Sequence, residues 1–438
     1  MTAPPEPAAP ETFDRLRYAG VFALLFLFGT ETFLVSPLLP SIADDIDVSE
    51  AAAASSVTAY VLVYAVCAPF LGLLSDRFGR RRTLIAGAVL FLLSNAIAAV
   101  STGLTLLVVS RAVAGLAAAA AGPAIWAHIA ETAPDAVRGR ALGLGMALFS
   151  CGQVIGVPLG ALLADAAGWR SAFLAMAVAT GAALPLLLRQ IPASRPSPAR
   201  AGAARSVLAA WGDPALRRAL IVNTVFHTAN LGAYTFLGAL LDDRFGLSVT
   251  ELGLVGVLVG VGSVAGSLLG GRLGDRARAR GAGAGSVPLL PLWAAIMAAG
   301  IALTAYGPTL VVALAGVVLW FVASGGFVTD QQTLAGTVDP ELRATSSAWL
   351  TSTMYAGTGV GAWTIGLFAD VAAGTLVVGT GFALLAAVGA LAVTVGGRRA
   401  AAAAPVTGGP AADERAGEPV GGRQVADGPQ ADRPVDHG

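Results

Sequence analysis

Long apolar stretches fill most of this 438-residue chain and restrict what it can fold into. A helix needs about 20 mostly apolar residues to cross the hydrocarbon core of a bilayer. Runs of that length, separated by charged, Pro/Gly-rich or polar turns, predict twelve membrane-spanning α-helices. They cover residues 18–40, 52–74, 82–101, 104–130, 139–164, 169–189, 216–241, 249–272, 285–306, 309–334, 343–368 and 374–397.

The composition fits a chain that faces lipid over much of its surface. Charged residues make up 12% of the sequence and hydrophobic residues 55%, whereas a soluble domain carries about 25% charged residues. Strands of a membrane barrel would alternate in polarity with every residue over about ten residues, which these runs do not do. The net charge of zero leaves no basic stripe for nucleic acid. We therefore expect an all-α membrane protein.

The arginines predict how the helices are oriented. All 27 cationic residues are arginine, and they concentrate in every second loop, the central linker and both tails. The other loops hold only Arg170 and Arg244, and Arg111 lies within a predicted span. Because arginine-rich loops stay in the cytoplasm, both termini are expected on that side of the cell (inner or plasma) membrane.

Similar segments recur in the two halves of the chain. SDRFGRRR around Asp76 returns as GDRARAR around Asp275, and PDAVR ending at Arg138 returns as PELR ending at Arg343. Six helices per copy preserve the orientation, so we expect two parallel bundles related by a pseudo-two-fold axis along the membrane normal. The predicted order is a cytoplasmic N-tail (1–17), a six-helix bundle (18–189), a cytoplasmic linker (190–213), a second six-helix bundle (214–397) and a disordered cytoplasmic C-tail (398–438).

The loop between the second and third spans carries the most specific motif, GLLSDRFGRRRTL at 72–84. It resembles the loop signature G-x-L-a-D-r-x-G-r-r/k of the major facilitator superfamily, whose members use this element to latch their two halves in the outward-facing state. The resemblance implies the major facilitator fold. A plain basic loop that only orients the helices is the alternative. The implied gating residues are Gly72, Asp76, Arg77, Gly79 and Arg80 in the loop, Glu131 at the end of helix 4, and Asp275 and Arg276 in the second copy.

Helix 5 contains a second motif, G-x-x-x-G-V-P-x-G, followed by GWRSAF at 168–173. Glycines four residues apart lie on one face of a helix and permit close packing, so a purely structural role is one interpretation of this motif. The pattern resembles the antiporter motif of the 12-helix drug:proton antiporters, in the arabinose-efflux-permease-like branch, although Val157 separates the usual Gly-Pro pair. The resemblance implies efflux. The motif residues are Gly152, Gly156, Pro158 and Gly160.

Three ionisable residues lie inside predicted spans, where a charge is costly and usually functional. Glu31 lies near the midplane of the first span and is expected to couple protons or to recognise a cationic substrate, with a structural hydrogen bond as the alternative. Arg111, in LVVSRAVAG, matches a family motif l-x-x-x-R-x-x-q-G and is expected to couple protons or bind an anion, unless it snorkels to an interface. Asp330 is expected to be a second proton site or part of the inner gate.

Polar side chains recur every three or four residues on helix 7 and again on helix 11. That spacing places them on one face of each helix. A polar stripe on an apolar membrane helix predicts the wall of a central cavity, and hydrogen bonding between helices is the alternative. The expected lining residues are Asn223, His227, Asn230, Tyr234, Thr351 and Tyr355.

The side chains that build enzymes and metal centres are scattered in this sequence. Cys67 and Cys151 lie alone in apolar runs, and the three histidines have no metal-ligand spacing. No nucleophile–base pair or phosphate-binding loop stands out, so we expect neither an enzyme, nor a metal site, nor a cofactor.

The sequence therefore predicts a secondary active transporter, monomeric in the lipid bilayer and without a nucleic-acid partner. The expected activity is proton-coupled efflux (antiport) of small organic molecules such as drugs, sugars or metabolites, by alternating access of the two halves. The proton gradient would supply the energy. A proton-coupled uptake symporter for a sugar or metabolite is the main alternative, and a transport-fold sensor is a more remote one.

Overall fold

The computed structural model describes residues 15–134, 137–192, 210–279, 289–336 and 343–403. Within these ranges the chain forms helices and no strand, and the helices follow one another as twelve spans. The first half contains α1 (Ala19–Asp45), α2 (Glu50–Phe78), α3 (Arg80–Ala99), α4 (Leu104–Thr132), α5 (Arg138–Cys151, a π-turn Gly152–Gly156 and Val157–Ala167) and α6 (Trp169–Gln190). The second contains α7 (Pro214–Thr235, continued by Leu237–Phe245), α8 (Val249–Ala279), α9 (Leu290–Tyr306), α10 (Leu310–Gly336), α11 (Arg343–Ile365) and α12 (Val371–Gly374, a π-turn Thr375–Thr380 and Gly381–Ala403).

Nine of these helices, counted over the described residues, are long and apolar enough to cross a membrane. α9 is apolar but has only 17 residues. α7 and α11 fall outside the set, and they are the two helices that carry the polar stripes. The two pack closely on each other, and α11 also packs on α2, so most of their polar side chains are shielded from lipid.

Three helices extend at least five residues past their predicted ends. α1 continues past residue 40 to Asp45, and the chain turns at Asp47, whose φ of 52° is a left-handed value that Asp tolerates. α12 runs to Ala403, into the tail expected to be disordered, because a run of alanines favours helix. α8 continues past residue 272 to Ala279, and the predicted start of α9 at residue 285 lies outside the described residues. The expectations for residues 1–14, 193–209 and 404–438 lie outside the described residues.

Hydrogen bonds tie the loops together at one end of the molecule, which we call the Arg170 end. The Arg170 guanidinium donates to the Asp45 carboxylate at 2.6 Å and to the Ser101 carbonyl at 2.7 Å. In the second half, Arg244 donates to two backbone carbonyls at the end of α9, at 2.9 and 2.6 Å. The two isolated loop arginines of the sequence therefore lie at the same end.

The opposite end, which we call the Arg80 end, contains the arginine-rich start of α3. Arg80, at the start of α3, forms an ion pair with Glu131 at the end of α4. Arg81 donates to the backbone carbonyl of Leu188 near the end of α6, at 2.9 Å. These contacts fasten three helices of the first half to each other.

The two halves meet mainly along three helix pairs, α1–α7, α2–α11 and α5–α8. Three hydrogen bonds, which we call the α1–α7 clasp, join the first pair. The Tyr234 hydroxyl donates to the Phe33 carbonyl at 2.9 Å, and the Ser36 hydroxyl donates to the Tyr234 carbonyl at 2.7 Å. The Gly238 amide donates to the Ser36 hydroxyl at 3.3 Å.

The α5–α8 seam closes because small residues face each other. A Cβ added to Gly253 of α8 would overlap the Cβ of Ala161 on α5, so only glycine lets the two backbones approach this closely. At the Arg170 end of the same seam, the Thr250 hydroxyl donates to the Asp165 carboxylate at 2.8 Å. The halves are therefore in contact at the Arg170 end.

Replacing Gly253 with valine is expected to separate the halves at the Arg170 end. The Ala161 Cβ is bonded directly to the backbone and cannot turn away, and overpacking of this kind typically costs about 1–3 kcal/mol. The equilibrium ratio of the joined to the separated seam should fall about 5- to 150-fold, measured as a lower cross-linking yield of a Thr250→Cys/Asp165→Cys pair in a background without Cys67 and Cys151.

Gly271→Val is the matched control, because a Cβ on Gly271 of the same helix meets no atom within 4 Å. Its cross-linking yield should equal that of the parent protein. Equal yields for Gly253→Val and the parent would show that the seam does not depend on this close approach.

Candidate transport site

A cavity of about 30 Å³ lies between the two halves, beside the α1–α7 clasp. A volume of this size holds one or two water molecules, whereas organic ligands occupy pockets of about 300–1,000 Å³. This cavity must therefore expand to admit an organic molecule. The wall is formed by Glu31, Thr32, Val35, Ser36, Val57, Tyr60, Val61, Arg111, Leu231, Tyr234, Thr235, Tyr355 and Thr358.

Glu31 and Arg111 form an ion pair in the wall of this cavity, through Oε1 of the carboxylate and Nη2 of the guanidinium. Their side chains are 0% and 2% exposed. Removing two charges from water costs several kcal/mol per ion, which their attraction offsets only while both are present. Each charge is therefore stable in this buried position only while the other is present. The Arg111 side chain stays inside the bundle and does not extend to a membrane–water interface.

Two aromatic rings hold the Arg111 guanidinium in place. The carbon at its centre lies 5.4 Å from the ring centroid of Tyr60 and 5.3 Å from that of Phe173. Rings at this distance attract a cation through their negative faces. Gly115, one turn along α4, has no room for a Cβ against the Tyr60 carbonyl. The R-x-x-x-G spacing thus lets α2 approach α4 and bring Tyr60 to the arginine.

The glycines of helix 5 hold α1, and with it Glu31. Gly152 and Gly156 lie so close to α1 that a Cβ on either would overlap the Phe26 carbonyl or the Thr30 side chain. The Thr30 hydroxyl donates to the Gly152 carbonyl at 3.1 Å. Gly160 lies against Leu34 further along the same face, and Pro158 lies at the α5–α8 seam beside Gly253.

The polar stripe of α7 divides between two environments. Tyr234 lines the cavity and belongs to the clasp, and Tyr355 of α11 lines the cavity opposite it. In contrast, the Asn223 amide donates to the Leu350 carbonyl and the Thr353 hydroxyl of α11, both at 2.9 Å.

Asn230 is engaged in the same way on the other side of α7. Its amide donates to the Ser324 hydroxyl at 2.7 Å, and its carbonyl accepts from the Trp320 indole at 2.8 Å, both on α10. His227 is buried, with Nδ1 3.5 Å from this amide. The cavity wall described here does not include Asn223, His227, Asn230 or Thr351, and the two asparagines form helix–helix hydrogen bonds instead. Their part in transport remains a prediction.

Asp330 lies inside the second half, away from the described cavity wall. Its carboxylate accepts a hydrogen bond from the Trp293 indole of α9 at 3.1 Å. The neighbouring Gln331 is buried, and its two amide atoms have no hydrogen-bond partner in the described part of the chain. Whether Asp330 exchanges protons remains a prediction.

The gating loop is described only in part. Gly79 has a φ of 89° and begins α3, a conformation that favours glycine, and Arg80 and Glu131 form the ion pair of the Arg80 end. Arg276 is exposed on α8. Gly72, Asp76, Arg77 and Asp275 lie in helical segments whose contacts the structure does not describe, so their gating role remains a prediction.

Several site residues were missed by sequence reasoning. Tyr60 and Tyr64 of α2 form an aromatic cluster with Tyr355 of α11, whose ring centroid is 4.2 Å from that of Tyr64 and 6.1 Å from that of Tyr60. The available signal was the Tyr-x-x-x-Tyr spacing in an apolar helix, which places both rings on one face. Nothing in the sequence identifies Phe173 as the second ring beside Arg111.

Two six-helix bundles around a central cavity define the class of secondary transporters that work by alternating access. The family model of the Major Facilitator Superfamily matches residues 21–362. The chain belongs to this superfamily, so it is a multi-pass membrane protein that carries small molecules and is not an enzyme.

Among related proteins, the uncharacterized MFS-type transporter YceJ of Bacillus subtilis (strain 168) is 28% identical over 342 residues, which cover 78% of this chain and 86% of YceJ. A chloramphenicol resistance protein of Streptomyces lividans is 32% identical over 270 residues, covering 61% of this chain and 69% of that protein.

Solved structures show the same fold at lower identity. An inward-facing, unoccupied bacterial homologue of the human lysosomal transporter Spinster has a TM-score of 0.70 at 15% identity, covering 88% of this chain and 96% of its own. A D-xylose–proton symporter has a TM-score of 0.70 at 19% identity, covering 85% and 96%. At these identities the likeness concerns the fold.

Arg111→Met is expected to destabilise the protein by about 3–5 kcal/mol, because it leaves the Glu31 carboxylate buried without its partner. The double variant Glu31→Gln/Arg111→Met removes both charges and should recover most of that loss. Chemical unfolding in detergent, followed by tryptophan fluorescence, measures both values. If the losses of the two single variants simply add in the double variant, the two charges do not stabilise each other.

Proposed function

We propose that this protein exports small organic molecules in exchange for protons, with Glu31 as the proton carrier. The observation that carries the proposal is the buried Glu31–Arg111 ion pair at the cavity wall. The Glu31 carboxylate is stable in this buried position only beside the Arg111 guanidinium. When Glu31 takes a proton the ion pair is lost, and the surroundings of both side chains change.

The pair offers a simple exchange cycle. With Glu31 ionised and paired, Arg111 is held in one orientation at the wall, and the site can accept the substrate. With Glu31 protonated, Arg111 loses its carboxylate and relies on the rings of Tyr60 and Phe173, so the site is remodelled and the substrate is released. Substrate and proton would then exclude each other, as antiport requires.

The position of Glu31 connects this exchange with the closure of the halves. Phe33 and Ser36, two and five residues further along α1, make the clasp with Tyr234. A shift of α1 on protonation would therefore move the clasp directly. We place the Arg170 end outside and both termini on the cytoplasmic side of a bacterial cell membrane, because the arginine-rich start of α3 lies at the Arg80 end.

Efflux is supported by the relative from Streptomyces lividans, whose name records resistance to chloramphenicol. Resistance to an antibiotic is consistent with its removal from the cell. Uptake by symport, the alternative from the sequence, predicts the opposite sign in the experiment below.

Reconstitution in liposomes with an internal pH dye tests the proposal. Adding chloramphenicol outside vesicles with an acidic lumen should raise the internal pH, because protons leave as the drug enters. A symporter would instead lower the internal pH. Glu31→Gln should abolish the drug-driven pH change, and its persistence in that variant would contradict the role of Glu31.

Asp330→Asn separates the second ionisable candidate from the first. Asp330 is hydrogen-bonded to Trp293 between α9 and α10 and is absent from the cavity wall that the structure describes. We expect this variant to keep the drug-driven pH change in the same liposomes, within about twofold. Complete loss of the pH change in a folded Asp330→Asn protein would assign a proton-coupling role to Asp330.

A further inference from the structure

The buried arginine at the cavity wall keeps hydrogen-bond donors that the ion pair does not use. In the part of the chain that the structure describes, Nε and Nη1 of Arg111 and Oε2 of Glu31 are fully buried and have no hydrogen-bond partner. Buried polar groups of proteins nearly always have a hydrogen-bond partner, so two unused donors on one side chain indicate that an acceptor binds there. Arg111 is part of the cavity wall, where a ligand oxygen could supply it.

We propose that the site selects uncharged aromatic molecules whose oxygen atoms accept hydrogen bonds from Nε and Nη1 of Arg111, while Glu31 keeps Nη2. Carbonyl, nitro and sulfonyl oxygens have this chemistry. The proposal rests on the proposed function only in placing the substrate at this cavity. It adds the substrate class and the atoms that recognise it.

Charge at the wall disfavours ionic ligands of either sign. Glu31 is the acidic residue of the described cavity wall, and its charge is already matched by Arg111, so a cation would meet a guanidinium without a free carboxylate. An anion on the remaining donors would place a second negative charge beside the Glu31 carboxylate, with one guanidinium to balance both, so it would require Glu31 to be protonated. A neutral acceptor avoids both penalties, because it uses the donors that remain.

The aromatic part of the proposal rests on the α2–α11 contact. Tyr60 and Tyr355 line the cavity from opposite halves, and Tyr64 packs against Tyr355 with 4.2 Å between the centroids. When the halves separate, the rings of Tyr60 and Tyr355 lose their contact with each other. Their aromatic surfaces then face the opened site. A flat aromatic ligand can replace these ring contacts in offset or edge-to-face geometry.

The charge of the ligand also determines the sign of proton exchange. A neutral molecule binds the form in which Glu31 is ionised, so its binding releases a proton wherever Glu31 was protonated. An anion requires protonated Glu31 and therefore takes a proton up. The two classes can be distinguished by the protons exchanged on binding, without any transport.

Calorimetric titration of the purified full-length protein in detergent, with three probes, tests this inference. The probes are chloramphenicol (neutral, with nitro and carbonyl oxygens), tetraphenylphosphonium (an aromatic cation) and 4-nitrobenzoate (an aromatic anion). Chloramphenicol should bind at least about tenfold more tightly than either ion. Repeating the titration in two buffers of different ionisation enthalpy should show protons released, up to one per chloramphenicol bound.

Arg111→Lys tests the donors themselves, because lysine keeps the charge but not the planar fork of N–H groups. Arg111→Lys should weaken the binding of chloramphenicol at least about tenfold. The control Arg170→Lys, at the Arg170 end, should leave the affinity unchanged. Tighter binding of tetraphenylphosphonium, no binding of chloramphenicol to folded protein, or full affinity in folded Arg111→Lys would overturn the inference. Selective binding without drug-driven pH change in liposomes would instead reject the proposed function alone.

Discussion

A guanidinium and a carboxylate placed together inside a membrane protein are stable only as a pair, and much of the first half is arranged around that requirement. Glu31 comes from α1 and Arg111 from α4, and both are almost completely buried. Gly115 lets Tyr60 approach the guanidinium, and α6 supplies Phe173 as a second ring near it. The glycines of α5 hold α1 in position. The ion pair thus connects four helices of this bundle to the cavity.

The same helices also carry the closure between the halves. α1 faces α7 through the Ser36–Tyr234 hydrogen bonds, and α5 uses one face for α1 and another for the glycines of α8. A change at Glu31 therefore reaches two of the three seams through rigid helices in direct contact. This arrangement gives the proposed exchange a physical route, since packed helices move as units when one contact is lost.

The sequence predicted the helices well because spanning a bilayer imposes a length and an apolar composition that are visible along the chain. It also singled out Glu31 and Arg111, since charges inside such runs are rare. Their pairing could not be predicted, because α1 and α4 are far apart in sequence and no periodicity records which helices become neighbours. The α7 stripe shows the same limit. Its spacing predicts one polar face, but Asn223 forms hydrogen bonds with α11 and Asn230 with α10. Of the four stripe residues, only Tyr234 lines the cavity wall described here.

The central claim is that Glu31 gains and loses a proton as substrate leaves and enters. Infrared difference spectroscopy of the purified protein measures this directly, through the C=O stretch of a protonated carboxyl group. At a pH where Glu31 is protonated, adding chloramphenicol should remove one such band, and Glu31→Gln should lack the change. A spectrum with no carboxyl band that responds to the substrate, or a response that survives in Glu31→Gln, would contradict the account.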